Sequence, residues 1–218
     1  MGKIVSGSRE ISSELLNENA ARAAAGFKSL GIGAGDTIAL YLRNDIPFFE
    51  AGLAAGLIGA YPVPVNWHYT EDEARYLFEN SQAKAIVIHA DLIGPIRDAI
   101  PAGVPVFVAE TPEEISLAYG IAPERTRVPA GATSWSEWIA SFEPLPPTPL
   151  DPPSTMIYTS GTTGRPKGVR RAPPTPEQAQ SFMQVLARGF GFGPFLANPD
   201  EIVTVVTGPM YHSAPNAY

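Results

Sequence analysis

The sequence contains no cysteine among its 218 residues. That absence excludes a disulfide framework, a thiolate nucleophile and any metal site built on thiolate ligands. Basic residues are also scarce, since 15 Lys and Arg stand against 22 Asp and Glu for a formal net charge of −7. A general nucleic-acid-binding protein presents a basic face, so this composition predicts no nucleic-acid partner.

Long hydrophobic runs are missing as well. The most apolar stretch, residues 48–60, contains Glu50 and is too short to cross a bilayer, which takes ~20 helical residues. The N-terminus has no apolar core of signal-peptide length. Hydrophobic residues nevertheless make up 44% of the chain and charged residues 17%, as in a globular domain. We therefore expect a cytoplasmic protein without an integral membrane segment.

Helix and strand patterns alternate along the first part of the chain. Ser12 or Ser13 can cap a helix that reaches Phe27, and the Thr70–Glu73 pair has capping-box spacing for a helix that continues to about Ser81. A further helix begins near Pro47. The compact apolar runs that predict strands are Thr37–Leu42, Ala85–His89 and Val104–Val108, and Tyr61–Val65 is expected to follow an extended path. This alternation predicts an α/β fold of layered, largely parallel sheets flanked by helices.

A proline-rich segment divides the chain. Residues 143–153 hold six prolines in eleven positions, which neither a helix nor a central strand accommodates. We predict a first α/β subdomain over residues 1–143, a stiff connector over 144–153, and the start of a second α/β subdomain over 154–218. The elements predicted after the connector are strands at 155–159 and 201–207 and a helix at 175–190.

A glycine-rich loop, Tyr-Thr-Ser-Gly-Thr-Thr-Gly-Arg-Pro-Lys-Gly, occupies residues 158–168 directly after a predicted strand. Glycines allow a sharp turn and a close approach to a ligand, and the freed amide groups can form an anion-binding concavity. Four basic residues fall within seven positions, from Arg165 to Arg171, in an otherwise acidic chain. The loop therefore indicates phosphate binding, with a solvated surface loop as the alternative.

The loop is not a Walker A motif. That motif requires a glycine, four residues and then Gly-Lys-Ser/Thr. Here Pro166 precedes Lys167, and Gly168 follows it. A P-loop GTPase or kinase is therefore disfavoured.

The eleven residues of the loop closely resemble the signature loop of the adenylate-forming (AMP-binding) superfamily, which includes acyl-CoA synthetases, luciferases and peptide-synthetase adenylation domains. Tyr41-Leu-Arg-Asn44, the turn 59–66 and the strand near 83–88 also stand where that family has comparable segments, so the resemblance covers nearly the whole chain. One departure is visible: many relatives have Thr-His shortly after Lys-Gly-Val, whereas this chain has Arg170-Arg171-Ala172-Pro173. The phosphate site is unaffected, but the subfamily stays open.

The resemblance implies an ATP-dependent ligase of the acyl-CoA synthetase type, in which the loop closes over the β- and γ-phosphates of Mg-ATP. Lys167 would offset the charge of pyrophosphate. The substrates and cofactors implied are a carboxylic acid, ATP with Mg²⁺, and CoA. The residues that the resemblance assigns to the nucleotide are Thr159, Ser160, Gly161, Thr162, Thr163, Gly164 and Lys167.

A second motif, Gly208-Pro-Met-Tyr-His212-Ser-Ala-Pro, follows a predicted strand. A lone histidine in this position is commonly structural. By resemblance to the family's second core motif, however, His212 would border the substrate carboxylate and act with Lys167 in catalysis, while Tyr211 would shape the pocket wall. We predict no metal site, because His68 and His89 have no ligand spacing with His212, and both are expected to be structural.

Members of this family are considerably longer than this chain, so the resemblance implies a fragment that would not turn over alone. Apolar surface left without neighbours near 201–207 could then cause homodimerisation. Two other readings stay open: a non-catalytic binding or assembly module that retains the nucleotide loop, and an unrelated phosphate-binding domain. Fatty, aromatic and polycyclic acids are all open as substrates, and so is a carrier-protein thiol in place of CoA.

Overall fold

The structure is a computed structural model, and it describes residues 2–146, 155–159, 166–170, 175–189, 191–193 and 202–212. The α-helices are α1 (Ser13–Ser29), α2 (Ile46–Leu57), α3 (Glu71–Ser81), α4 (Ala90–Ile93), α5 (Glu113–Tyr119), α6 (Trp135–Ala140) and α7 (Pro176–Gly189). Short 3₁₀ helices span Gly94–Ala99 and Pro123–Arg125. The strands are β1 (Lys3–Ser6), β2 (Arg9–Ser12), β3 (Thr37–Tyr41), β4 (Tyr61–Pro64), β5 (Ala85–His89), β6 (Val106–Ala109), β7 (Thr133–Ser134), β8 (Tyr158–Thr159) and β9 (Lys167–Gly168).

A five-stranded sheet forms the centre of the fold, in the spatial order β4-β3-β5-β6-β7 with every neighbouring pair parallel. Strands β3 and β5 are mainly apolar because both faces of the sheet are covered there. All five residues of β3 and of β5 are buried. The α/β fold with a parallel sheet, predicted from the alternation of runs, is therefore confirmed.

Helices cover the two faces of the sheet separately. One core packs the small residues of α1 and α2 and the tryptophan of α6 against alternate strand residues such as Leu40 and Val87. The other packs Leu77 and Phe78 of α3 and the first 3₁₀ helix against the intervening residues, such as Ile86. The predicted helix starts are confirmed. Ser12 accepts from the backbone N–H of Leu15, and Thr70 forms a reciprocal capping box with Glu73.

Glu50, the one charged residue of the apolar helix α2, is buried and fully engaged. Its two carboxylate oxygens accept from Nδ2 of Asn19 at 2.8 Å and from the indole Nε1 of Trp135 at 2.7 Å. A buried carboxylate is tolerated when it is paired in this way. Glu50 therefore joins α1, α2 and α6 on one side of the sheet.

Some sequence predictions need correction. Residues 202–207 form no strand, although their β-branched pattern predicts one, because no described strand pairs with them; Val203 is 86% exposed and Val205 70%. The strand predicted at 155–159 is limited to β8. The antiparallel β1–β2 hairpin was not predicted.

Other predictions lie partly outside the described residues. Most of the predicted connector, namely residues 147–153 of 144–153, falls there, so the subdomain division stays a prediction. Among the described helices, none is long and apolar enough to cross a membrane.

Candidate functional site

The carboxyl edge of the central sheet is the first candidate region. The chain leaves β3 for β4 on one side and then crosses back to β5 on the other, so the direction of winding reverses between β3 and β5. In open α/β sheets, ligands bind beyond the carboxyl ends of the strands at such a switch point. The residues that follow these strands, Arg43 to Asp45 and His89 to Asp91, therefore stand where a ligand site is expected.

Arg43 is anchored there by a buried ion pair. Its Nη2 donates to Oδ2 of Asp91 at 2.6 Å, and the other carboxylate oxygen accepts from the Thr111 hydroxyl at 2.6 Å. The guanidinium also lies over two rings, 4.1 Å from the centroid of Tyr119 and 5.7 Å from that of Trp67. The ion pair and the two ring contacts hold the guanidinium in place, so Arg43 ties the segment after β3 to Asp91.

Asp45 and His89 form a second buried network beside it. The backbone N–H of Arg43 donates to Nδ1 of His89 at 3.1 Å, so the ring proton resides on Nε2 and faces Oδ2 of Asp45 at 3.2 Å. Burial by itself would raise the pKa of Asp45, but hydrogen bonds from His89 and Arg9 outweigh it and hold that pKa below its usual value. His89 is therefore a structural residue, as predicted.

Tyr211 and His212 are carried to this edge by a turn. The Asn44 amide donates through Nδ2 to the carbonyl of Gly208 at 2.8 Å, and its Oδ1 accepts from the N–H of Met210 at 2.8 Å. The ring of Tyr211 lies edge-on to Trp67 with centroids 4.8 Å apart. Burial, and then neighbouring Tyr119, raise the pKa of Tyr211 above its ordinary value, and a phenol is neutral at pH 7 even without that shift.

His212 is exposed at the end of this turn. Its backbone N–H donates to the carbonyl of Pro209 at 3.0 Å, and its ring lies 4.4 Å from that of Tyr211. The sequence motif was predicted to follow a strand, but residues 202–207, which precede it, pair with no described strand. An exposed imidazole beside a neutral phenol can donate or accept a hydrogen bond at the switch-point edge.

The glycine-rich loop is the second candidate region, and the structure describes its two flanks. Strands β8 and β9 pair antiparallel, Tyr158 with Gly168 and Thr159 with Lys167, so they bracket the loop. The predicted cradle residues Ser160 to Gly164 lie outside the described residues. Lys167 is exposed on β9. A Cβ at Gly168 would meet Cε of Met156 and lie 2.6 Å from Cε2 of Tyr158, so a larger residue there would require these side chains to shift.

The hairpin docks against helix α3. The Tyr76 hydroxyl donates to the carbonyl of Pro166 at 3.0 Å, and the Tyr158 hydroxyl donates to Oδ1 of Asn80 at 2.8 Å. A cavity of about 210 Å³ lies between the hairpin and α3 and is lined by Tyr69, Asp72, Glu73, Tyr76, Leu77, Tyr158 and Pro166. The hydrogen bonds of Tyr76 and Tyr158 hold the base of the loop in place relative to α3 and the central sheet.

Arg170 holds the outgoing end of the hairpin. Its Nη1 donates to the carbonyl of Gly35 at 3.2 Å, and its guanidinium lies 5.6 Å from the ring centroid of Tyr61. Of the predicted cationic cluster, Lys167 and Arg170 are described and exposed, while Arg165 and Arg171 lie outside the described residues.

The two candidate regions remain separate in the described structure. No hydrogen bond or ion pair among the described residues joins Lys167 to His212, so the predicted catalytic pair stays a prediction. Among the residues that the structure describes, no group of three His, Asp or Glu side chains is placed to hold a metal ion. Sequence reasoning missed the role of Asn44. Asn44 belongs to the segment 41–44 that resembles the family, but only the fold brings its side chain to the 208–210 turn.

Comparison with known proteins places these features in one family. The chain is 32% identical over 171 residues to a 3-oxocholest-4-en-26-oate–CoA ligase from Rhodococcus rhodochrous, covering 76% of this chain and 29% of that protein. It is 32% identical over 161 residues to a crotonobetaine/carnitine–CoA ligase from Citrobacter koseri, covering 74% of this chain and 30% of that protein. The chain thus spans about 30% of the length of these relatives.

The fold likeness extends over nearly the whole chain. A putative long-chain-fatty-acid CoA ligase from Rhodopseudomonas palustris superposes with a TM-score of 0.69 at 17% identity, covering 95% of this chain and 47% of the other. The model of the AMP-binding enzyme family matches residues 3–215. The β8–β9 hairpin around the glycine-rich loop and the Tyr211–His212 turn both lie within that match, and the chain belongs to the AMP-binding enzyme family.

Proposed function

We propose that this chain is the N-terminal part of an ATP-dependent acid–CoA ligase. In the first half-reaction a carboxylate oxygen of the acid attacks the α-phosphorus of ATP, and the bond to the β-phosphate breaks to release pyrophosphate. In the second, the CoA thiol attacks the acyl-adenylate carbonyl, giving a thioester and AMP with loss of the thiol proton. The observation that carries the proposal is the family match over residues 3–215, which includes the β8–β9 hairpin.

The glycine-rich loop is assigned to the departing pyrophosphate. Backbone amides between residues 160 and 164 would donate to the β- and γ-phosphate oxygens, where negative charge accumulates as the bond breaks. Lys167, exposed on β9 at the end of the loop, would bring a positive charge to the same group. The docking of the hairpin on α3 supports this role, because a fixed base limits where the loop can close.

Tyr211 and His212 are assigned to the acid. The switch-point edge is where an α/β sheet binds ligands, and His212 is exposed there beside a neutral phenol. The imidazole would donate a hydrogen bond to the substrate carboxylate and orient it for attack. Fatty, aromatic and polycyclic acids remain candidates. A cytoplasmic location and a homodimer stay predictions.

ATP and CoA enter as co-substrates. Magnesium accompanies ATP in such reactions, where it neutralises phosphate charge. The described residues offer no carboxylate cluster that fits this ion. We therefore assign magnesium no ligand among the described residues and no step of the reaction.

The test is acid-dependent exchange of labelled pyrophosphate into ATP by the complete enzyme that contains these residues, with acetate, octanoate, palmitate, benzoate and cholate as acids. We expect exchange with at least one acid class. Lys167→Ala should lower kcat by about 10²-fold, the scale of losing one transition-state charge contact. The control is Lys84→Ala, an exposed lysine outside the loop, which should leave exchange unchanged.

Two results would contradict the proposal. One is no exchange with any acid class, which would favour a non-catalytic module. The other is equal exchange by Lys167→Ala and the unmodified enzyme. The 218-residue chain alone is expected to release no pyrophosphate, because it covers about 30% of its relatives' length.

A further inference from the structure

The side-chain amide of Asn44 hydrogen-bonds to a distant turn through both its nitrogen and its oxygen. Its amide donor and acceptor engage the carbonyl of Gly208 and the N–H of Met210, both at 2.8 Å, across 164 and 166 residues of sequence. A pair of bonds from one planar amide fixes both the distance and the orientation of the peptide groups it contacts. One side chain therefore holds the turn in a fixed position relative to the end of β3.

The neighbouring contacts leave Asn44 little freedom of its own. Arg43, the preceding residue, is held by the ion pair to Asp91 and has a side chain only 9% exposed. The backbone N–H of Arg43 is bound to His89. The segment from which Asn44 projects is thus fixed by buried groups at the ends of β3 and β5.

The turn has two further anchors, and within the described part of the chain it joins no sheet. Met210 is 5% exposed within the core shared with α1 and α2, and Tyr211 packs edge-on to Trp67. Residues 202–207, which precede the turn, pair with no described strand, and Val203 and Val205 are largely exposed. The position of Tyr211 and His212 therefore depends on side-chain contacts rather than on a sheet register.

We propose that Asn44 is a positioning residue that sets where Tyr211 and His212 stand at the carboxyl edge, and that it thereby controls binding of the carboxylic acid. The inference rests on the proposed function, in which this pair borders the acid. Asn44 touches neither substrate. It acts through the backbone of the turn, so its loss should change acid recognition without changing nucleotide binding.

The first experiment measures backbone amide exchange at Met210 by NMR on the 218-residue chain. Asn44→Ala removes both bonds, and one hydrogen bond of ~1 kcal/mol corresponds to about fivefold in exchange. We expect the Met210 amide to exchange at least about fivefold faster. Asn44→Asp keeps an acceptor for that amide and should retain most of the protection. The control Asn17→Ala, on the exposed face of α1, should change nothing.

The second experiment uses the complete enzyme and the best acid of the panel. Asn44→Ala should raise the KM for that acid about tenfold or more, while the KM for ATP stays within about twofold. A merely structural role would lower the amount of active enzyme without separating the two KM values. Asn44→Asp should fall between Asn44→Ala and the unmodified enzyme.

The outcomes separate the two proposals. Unchanged Met210 exchange in Asn44→Ala would overturn the positioning role, whatever the activity. Faster exchange with equal effects on both KM values would overturn its link to the acid. If the unmodified enzyme adenylates no acid, the proposed function fails and the link to the acid fails with it, while the exchange data still show whether Asn44 holds the turn.

Discussion

Arg43 and Asp91 form a buried ion pair that links the segment after β3 to helix α4 after β5, with Nη2 of the arginine 2.6 Å from Oδ2 of the aspartate. Removing one partner leaves the other charge buried and uncompensated, which costs about 3–5 kcal/mol. We expect Asp91→Asn to lower the free energy of unfolding by roughly that amount, measured by urea denaturation.

The control for this pair is a double-mutant cycle. In an Arg43→Met background, Asp91→Asn should cost at least about 1 kcal/mol less than it does alone, because no unpaired cation remains. Strictly additive effects of the two substitutions would show that the ion pair contributes nothing specific to stability.

Asp45 makes stability depend on pH in the acid range. Its pKa is held below the usual value by hydrogen bonds from His89 and Arg9, which outweigh the effect of burial. The unfolded chain therefore binds the proton more readily than the folded one, so this contribution is present above about pH 4 and is lost as pH falls through the folded pKa. Asp45→Asn should cost about 1–3 kcal/mol at pH 7 and clearly less at pH 3.

The comparison for Asp45 is Asp98→Asn, an exposed carboxylate outside this network. Urea midpoints of both variants and the parent chain, taken from pH 3 to 7, provide the measurement. A constant difference between Asp45→Asn and the parent across that range would contradict the linkage.

Replacing Gly26 or Gly52 by alanine should change the stability of the protein in opposite directions. Alanine in a helix interior is favoured over glycine by about 1 kcal/mol. At Gly52 in α2 the added Cβ would have Leu40 Cδ1 as its nearest neighbour at 3.8 Å, an ordinary contact, so Gly52→Ala should raise the melting temperature.

At Gly26 in α1 the added Cβ would lie 2.5 Å from Cζ2 of Trp138 and 2.9 Å from Cε2 of Phe142. Overpacking of this kind costs about 1–3 kcal/mol and exceeds the gain in helix propensity. Gly26→Ala should therefore lower the melting temperature. Stabilisation by both substitutions would show that α6 can move away from α1 at little cost.

Tyr158 ties the base of the glycine-rich loop to α3 and stays protonated in alkaline solution. Burial, and then the neighbouring Tyr76, raise its pKa to about 12. Unfolding releases this proton above about pH 10, so the contribution is lost as pH rises from 10 towards 12. Tyr158→Phe should cost about 1 kcal/mol at pH 7, because the bond to Asn80 is lost, and should weaken the alkaline decline in stability.

The comparison is between Tyr158→Phe and the parent chain in alkaline solution. Unfolding free energies between pH 9 and 11.5 are the measurement. An alkaline decline of equal slope in Tyr158→Phe and the parent chain would contradict the assignment.

Much of the fold follows from local patterns. Thr70 and Glu73 specify a helix start through their own hydrogen bonds, and the apolar run Ala85–His89 specifies a buried strand through its composition. The run 201–207 has the same strand-like composition, yet residues 202–207 pair with nothing described. A strand requires a partner as well as a pattern, and the partner is not encoded locally.

The glycine-rich loop and the Tyr211–His212 motif were visible as residue types at fixed spacings, and those spacings were enough to identify the family. The contacts that hold these two motifs in place could not be predicted from the sequence. Asn44 reaches Gly208, and Tyr76 reaches Pro166, across 164 and 90 residues. Short-range chemistry, such as capping, burial periodicity and turn glycines, can be read along the chain. The long-range hydrogen bonds of Asn44 and Tyr76 form only once the chain has folded around the parallel sheet. Folding brings the remote segments within about 3 Å, the length of a hydrogen bond.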